Sequence, residues 1–370
     1  MDVLTQVISA YRASGKLFEA HCDLLYPCDL DCEHCYLDDK ARPQRSTQFW
    51  KGVFDQLADQ QVMLLHLSGG EVFLRKDLFE LIEHARGRGL MVCLKTHGGL
   101  VTADHARRLA DLGVSIVYVS YYSDRPEVHD AITRRQGSHE KTLAGLRHLA
   151  KAGLRVKVNL TVMERNVDDV SQVVRQCEEL GIQVGISTEI HSAQSGDGIP
   201  LEVALPLDER ADFHTRIDVR SSACAVDGAS NDWGEKAICG AAHTSVYIDP
   251  EGTVMPCSFW PAPLGVLEEG TRLSDLLEAS REFQEMRSYT NADRHSCGSC
   301  AGKDICHFCP GESWHQTRDP MAPATAICSD TYSQVVAKAR LAGEPEPAKP
   351  PGLRRSPFRV LNAGQHACGG

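Results

Sequence analysis

"YPCDLDCEHCYLDD", residues 26–39, sets Cys28, Cys32 and Cys35 within eight positions, directly after the apolar run "LFEAHCDLL" at 17–25. Four thiolates would close a metal site, whereas three leave one coordination position for another ligand. Outward from this stretch the chain repeats one unit: an apolar run rich in β-branched residues, a polar turn, an amphipathic helix and a glycine. The further strand-like runs are "VMLLHLS" (62–68), "LMVCLKT" (90–96), "VSIVYVSY" (114–121), "LRVKVNLTV" (154–162) and "IQVGISTEI" (182–190). Between them lie "DLFELIEHARGRG", "ADHARRLADLG", "EKTLAGLRHLAKAG" and "VDDVSQVVRQCEELG", each ending at a glycine suited to a left-handed cap: Gly89, Gly113, Gly153 and Gly181. Asp77, Thr102, Ser138 and Asn166 stand near the helix starts.

Strands alternating with helices require a parallel sheet, and six evenly spaced units favour an incomplete barrel over a flat doubly wound sheet. In either architecture ligands gather at the C-terminal edge of the strands, where the three-cysteine loop falls. The predicted fold class is α/β: an N-terminal segment (1–17), a partial (β/α)6 TIM-type barrel (18–215), and a second, cysteine-rich, metal-held domain (220–335). Within the last, "SVYIDPEGTVMPCSFW" reads as a hairpin turning at Asp249–Gly252, with Cys257 on its second strand. Beyond 341 the Pro- and charge-rich "LAGEPEPAKPPGLRRSPFR" reads as the start of a disordered tail.

The 370 residues carry a formal charge of -11, which argues against a nucleic-acid partner because such proteins present a basic face. No signal peptide and no apolar run of about 18 residues are present, so the chain reads as cytoplasmic with no membrane partner. In a reducing compartment, 15 cysteines read as metal ligands in the main. Cys93 and Cys177 lie inside a strand and a helix pattern and read as buried thiols, and Cys368 as a solvated bystander.

Thiolates spaced like Cys28, Cys32 and Cys35 can hold three irons of a 4Fe-4S cube and leave the fourth open. Zinc is the competing occupant, with His34 an awkward fourth ligand beside Cys35. The stretch resembles the signature of the radical S-adenosylmethionine (radical SAM) superfamily, Cys-x3-Cys-x2-Cys after the first strand of a partial barrel. The resemblance implies that S-adenosylmethionine chelates the open iron and is cleaved reductively to a 5'-deoxyadenosyl radical that abstracts hydrogen from the substrate. It also implies a cofactor role for Gly69, Gly70 and Glu71 in "HLSGGEV" (66–72), where the family has a loop that binds the methionine amino group; Val72 stands where the family has proline. By the same resemblance Tyr36 lies near the adenine, Thr96 and His97 of "KTHGG" near the cofactor, and Ser120 and Asn159 near the ribose or carboxylate.

The remaining cysteines run Cys239, Cys257, Cys297-x2-Cys300-x5-Cys306-x2-Cys309 and Cys328. "CGSC" with "CHFC" also suits a zinc ribbon. The full order resembles the SPASM extension of radical SAM enzymes, with two residues in the last short interval where the family has three. The resemblance implies two auxiliary 4Fe-4S clusters, one on Cys297, Cys300, Cys306 and Cys328, the other on Cys239, Cys257 and Cys309, with Cys224 a candidate further ligand.

Together these signatures imply a radical SAM oxidoreductase that modifies a ribosomally made peptide. The alternatives are a tetrapyrrole, sugar or other small-molecule substrate, or formylglycine formation as in anaerobic sulfatase maturases. A flavodoxin- or ferredoxin-type electron donor is implied, as is a separate leader-binding protein, since about twenty residues precede the barrel. No acid or base is assigned; Tyr121, Tyr122 and Asp124 after the fourth strand, and His191 after the sixth, are expected near the barrel mouth.

Overall fold

The structure is a computed structural model that describes residues 3–217 and 232–353; Cys224, Cys368 and the part of the tail after 353 lie outside the described residues. In chain order the elements are α1 (Val3–Ala13), β1 (Glu19–Asp23), α2 (Thr47–Asp59), β2 (Leu64–Ser68), α3 (Leu78–Gly87), β3 (Met91–Thr96), α4 (Ala103–Asp111), β4 (Ile116–Ser120), α5 (Pro126–Thr133), α6 (Ser138–Lys151), β5 (Val156–Thr161), α7 (Val170–Glu179), β6 (Gln183–Ser187) and α8 (Leu207–Arg216). The C-terminal region adds β7 (Ser245–Ile248), β8 (Thr253–Met255), β9 (Gly265–Val266), α9 (Leu273–Ala279), α10 (Arg281–Ser288), α11 (Pro310–Thr317) and α12 (Thr325–Ala342). No helix among the described residues is long and apolar enough to cross a membrane.

Strands β1 to β6 are parallel and neighbour one another in sequence order, with β6 at one edge of the sheet, so the barrel stays open. Alternation along each strand explains why it holds. Ala20 and Cys22, Leu65 and Leu67, Val92 and Leu94, and Val117 and Val119 are buried in one core with Trp50, Phe54, Leu81, Ile82 and Leu109 of the flanking helices. The glycines that close the helices adopt left-handed φ as expected, for example +86° at Gly89 and +68° at Gly113. Cys93 and Cys177 are buried free thiols, as their patterns predicted.

Most of the intervening positions are polar, among them Glu19, His21 and Asp23 on β1, His66 and Ser68 on β2, Lys95 on β3, and Asn159 and Thr161 on β5; Ser68, Lys95, Asn159 and Thr161 border one cavity. At the N-terminal end of the strands the rings of His21 and His66 stack at 4.3 Å and 4°, because these residues are register partners on adjacent strands. Glu19 reaches both imidazoles, at 3.7 and 3.2 Å. Glu19 thus ties the stacked pair together through its hydrogen bond with His66.

The boundary expected near residue 220 does not separate two sheets. Strand β7 pairs in parallel with β1, Glu19 facing Ser245 and Cys22 facing Ile248, and β8 and β9 continue the same sheet to nine strands. The hairpin turns where predicted, with Asp249 Oδ1 accepting from Glu251 N and Thr253 N. Cys257 lies two residues past the end of β8 rather than on it, because the chain turns at once into a bridge with Trp260. Residues 341–353, expected to begin a disordered tail, complete α12 and fold back along it, with Gly352 buried.

Candidate functional site

A cavity of about 380 Å³ opens at the C-terminal edge of the strands. Cys28, Cys32, Cys35, Tyr36, Gly69, Gly70, Thr96, Ser120 and Asn159 all border it. The three thiols converge on one wall. Burial pushes Cys32 up to about 12, with the Cys35 and Cys28 thiols adding to it, and burial pushes Cys28 up to about 11. Three thiols on one cavity, with no fourth cysteine on its described wall, leave a cluster's remaining iron to another ligand, and bound metal would displace their protons. The donor set therefore fits an iron-sulfur group.

The Gly-Gly-Glu loop is shaped by its neighbour. Gly70 N donates to Leu25 O at 2.8 Å and Glu71 N to Pro27 O at 3.0 Å, which stitches this loop to the segment carrying Cys28. A Cβ at Gly69 would stand 2.0 Å from Leu25 O, and one at Gly70 would stand 2.2 Å from both Tyr26 O and Pro27 O. The glycines are thus required by backbone packing as well as by the cavity they border.

Glu71 does not border the cavity. Its carboxylate is fully buried and accepts from Thr96 Oγ1 at 2.8 Å, His97 N at 2.9 Å and Phe73 N at 3.0 Å. Glu71 therefore fixes the glycine loop from behind. His97 bridges Asp29 and Glu71, with Nε2 at 2.9 and 3.1 Å from their oxygens. Burial opposes charge on that ring, but the Asp29 hydrogen bond and the Glu71 charge outweigh it and raise its pKa.

Several other wall residues escaped the sequence reading: Lys40, Lys95, Tyr118, Thr161, Glu189, Ser258 and Phe259. Strand parity alone flags Tyr118 and Thr161, which share a strand face with Ser120 and Asn159, and register then flags Lys95, the partner of Tyr118 on the neighbouring strand. His34, read only as a zinc ligand, stands on the wall with its ring edge-on to Tyr122 at 4.8 Å, and burial lowers its pKa to about 4. Tyr36 packs against Phe259 at 5.0 Å, between the cysteine loop and the C-terminal region. Tyr122 and His191 border the cavity as expected. Tyr121 points away into the core, bonded to His139 and Gln176, and Asp124 does not border the cavity.

The second cysteine region sorts into two groups. Cys297, Cys300, Cys306 and Cys328 share one small apolar cavity with Phe308, Ile327 and Tyr332. Cys309 is raised by burial and then by the nearby Cys257 and Cys239 thiols, so these three form the inner group. Phe259 N donates to Cys257 Sγ and Glu312 N to Cys309 Sγ, each at 3.4 Å. Phe259 therefore joins the inner group to the main cavity. Cys224 lies outside the described residues.

Residues 26–177 match the family model for the Radical SAM superfamily, and 239–301 match the SPASM iron-sulfur cluster-binding domain. The chain is a radical SAM enzyme with a SPASM extension. Such a protein binds a 4Fe-4S cluster with S-adenosylmethionine, and auxiliary iron-sulfur clusters in the extension. It is 28% identical over 301 residues to the mycofactocin maturase MftC of Mycobacterium tuberculosis, covering 77% of this chain and 75% of that protein. It is 23% identical over 333 residues to the AdoMet-dependent heme synthase of Nitratidesulfovibrio vulgaris, covering 82% and 89%. Among solved structures, Streptococcus suis SuiB bound to its precursor peptide SuiA superposes with a TM-score of 0.64 at 15% identity, over 86% of this chain and 78% of that one, which is a likeness of fold.

Proposed function

We propose that this enzyme matures a ribosomally made peptide, with Cys28, Cys32 and Cys35 holding the cluster that binds S-adenosylmethionine. When bound, that cluster would supply the one-electron chemistry for reductive cleavage of S-adenosylmethionine and, through it, for hydrogen abstraction from the substrate. The protein's part is placement. Gly69 and Gly70 offer backbone groups to the methionine end, and Thr96, Ser120 and Asn159 border the same cavity at the strand ends. Glu71 keeps the glycine loop fixed, and the buried Tyr122 walls the cavity against water.

The observation that carries the peptide reading is the composite wall: Ser258 and Phe259 of the extension face the cysteine loop across one cavity. At about 380 Å³ it lies near the small end of ligand pockets, room for a cofactor and one projecting side chain. An extended peptide needs to insert no more than that. The likeness to MftC agrees. The heme synthase likeness favours a tetrapyrrole as the second reading. An external flavodoxin- or ferredoxin-type donor and a separate leader-binding protein complete the proposed system.

The test is to incubate the reduced, reconstituted enzyme and S-adenosylmethionine with precursor peptides encoded beside its gene, and with tetrapyrroles on the way to heme. A mass change in a peptide supports the reading. Turnover of the tetrapyrrole with every peptide left unchanged overturns it.

A further inference from the structure

The sequence "EPEPAKPPGL" at 344–353 has few residues able to form a core, yet it is tied down along its length. Gly343, at φ +68°, reverses the chain off α12, and Glu344 N returns to Ala339 O at 2.9 Å. Arg340 pairs with Glu346 at 2.9 Å, and Tyr332 Oη donates to Pro347 O at 2.8 Å. Thr325 Oγ1 donates to Gly352 O at 3.2 Å. Prolines at 345, 347, 350 and 351 hold φ in advance, which lowers the entropy lost on ordering a segment with no ladder of its own.

This segment lies over the outer cysteine group. Ala348, Pro350 and Pro351 border the same cavity as Cys297, Cys300, Cys306 and Cys328. Gly352 is buried directly against the Cys328 side chain. The approach is close: a Cβ at Gly352 would stand 2.6 Å from that sulfur and 3.1 Å from Ala324 O. Glycine is therefore required by the sulfur beneath it, without any unusual φ.

We propose that residues 344–353 are a fixed roof over the outer iron-sulfur site, sealing it from substrate and oxidants, with Gly352 packed directly against the Cys328 sulfur. The outer site then has a role distinct from that of the inner group, which touches the main cavity through Phe259. An apolar cover excludes water and oxygen and so sets the surroundings of the cluster. The proposal rests on the iron-sulfur reading of the extension and is independent of the substrate.

The test begins with the metal-free full-length chain, where alkylation of each cysteine by iodoacetamide is followed by mass spectrometry. Ending the chain at Gly343 is expected to speed labelling of Cys328 about tenfold while leaving Cys28 unchanged, because only the local cover is lost. Gly352→Ala, which keeps the whole segment but forces a methyl against the sulfur, is expected to act in the same direction, and Tyr332→Phe more weakly. After reconstitution, the truncated chain should lose one cluster's absorbance faster in air, with an altered EPR signal and unchanged cleavage of S-adenosylmethionine in the absence of substrate. Equal Cys328 labelling in all variants, or an equal rise at Cys28, overturns the roof. Should the truncated chain fail to fold, Gly352→Ala decides by the same labelling ratio. If the labelling pattern is as expected but the outer site takes up no iron in the full-length chain, the roof stands and the iron reading of the extension falls.

Discussion

The two cysteine regions are built in opposite ways. Cys28, Cys32 and Cys35 come from one loop, open onto a cavity of about 380 Å³. The outer group of the extension collects Cys297, Cys300, Cys306 and Cys328 from the turns before α11 and from α12, and closes them under residues 344–353. A local loop with three sulfurs leaves a position for chemistry; a group assembled from distant segments and roofed over is suited to holding electrons or structure. The difference teaches that ligand count and access together, rather than cysteine spacing alone, separate a reactive site from an auxiliary one.

The strongest way to break this contrast is to replace Cys28, Cys32 and Cys35 together by Ala. S-adenosylmethionine cleavage, read as 5'-deoxyadenosine by chromatography, should fall to background while about two thirds of the iron remains. Iron lost from the whole chain would show that the regions do not load independently.

Acid should loosen the barrel next. His129 is buried, and burial followed by the His139 charge lowers its pKa to about 3. The unfolded chain takes up that proton below about 6.5 while the folded one does not, so stability is lost as pH falls; between pH 6.5 and 4 the loss from this group is about 3 kcal/mol. Thermal melts of the metal-free protein should show the slope, and His129→Asn should flatten it, since the amide keeps an acceptor for Tyr122 N.

Gly70→Ala sharpens the packing side of the contrast. Its Cβ would meet two backbone carbonyls at 2.2 Å, neither of which can swing aside, so a loss of about 1–3 kcal/mol in a melt is expected. Iron uptake at the first site should weaken with it. A variant as stable as the parent would show that the loop yields.

The smallest effect tests how the two regions are coupled. Arg42, past the cysteine loop, reaches Asp249 Oδ2 at 2.8 Å and Glu251 Oε2 at 2.6 Å in the β7–β8 turn. Arg42 is partly exposed, so Arg42→Ala should cost about 1 kcal/mol or less by denaturant titration. A larger loss would mean that this contact, rather than β1–β7 pairing, holds the extension in place.

Most of the barrel was legible because its information is local. Alternation, helix period and capping glycines marked six parallel strands and favoured the open barrel, and the three-cysteine loop falls at the edge that the alternation implies. The later cysteines, grouped in the sequence only by resemblance, lie in two sets of neighbouring thiols among the described residues. What escaped was non-local. That β7 would join β1 is a register choice between segments some 220 residues apart. The inward turn of Glu71 depends on Thr96 and His97, which a loop motif alone does not show. Residues 344–353 looked too polar to fold because their stability comes from the surface they cover.

By itself, then, the sequence determined a chain of alternating strands and helices, three neighbouring sulfurs with an open position, and the chemistry such a set can carry. Only the tertiary structure decided which groups face the cavity, that the extension shares the barrel's sheet, and that a proline-rich segment closes over Cys328. The physical reason is range: propensity, period and ligand spacing act within a few residues, whereas access and burial are set by contacts between segments that meet only when the chain is folded.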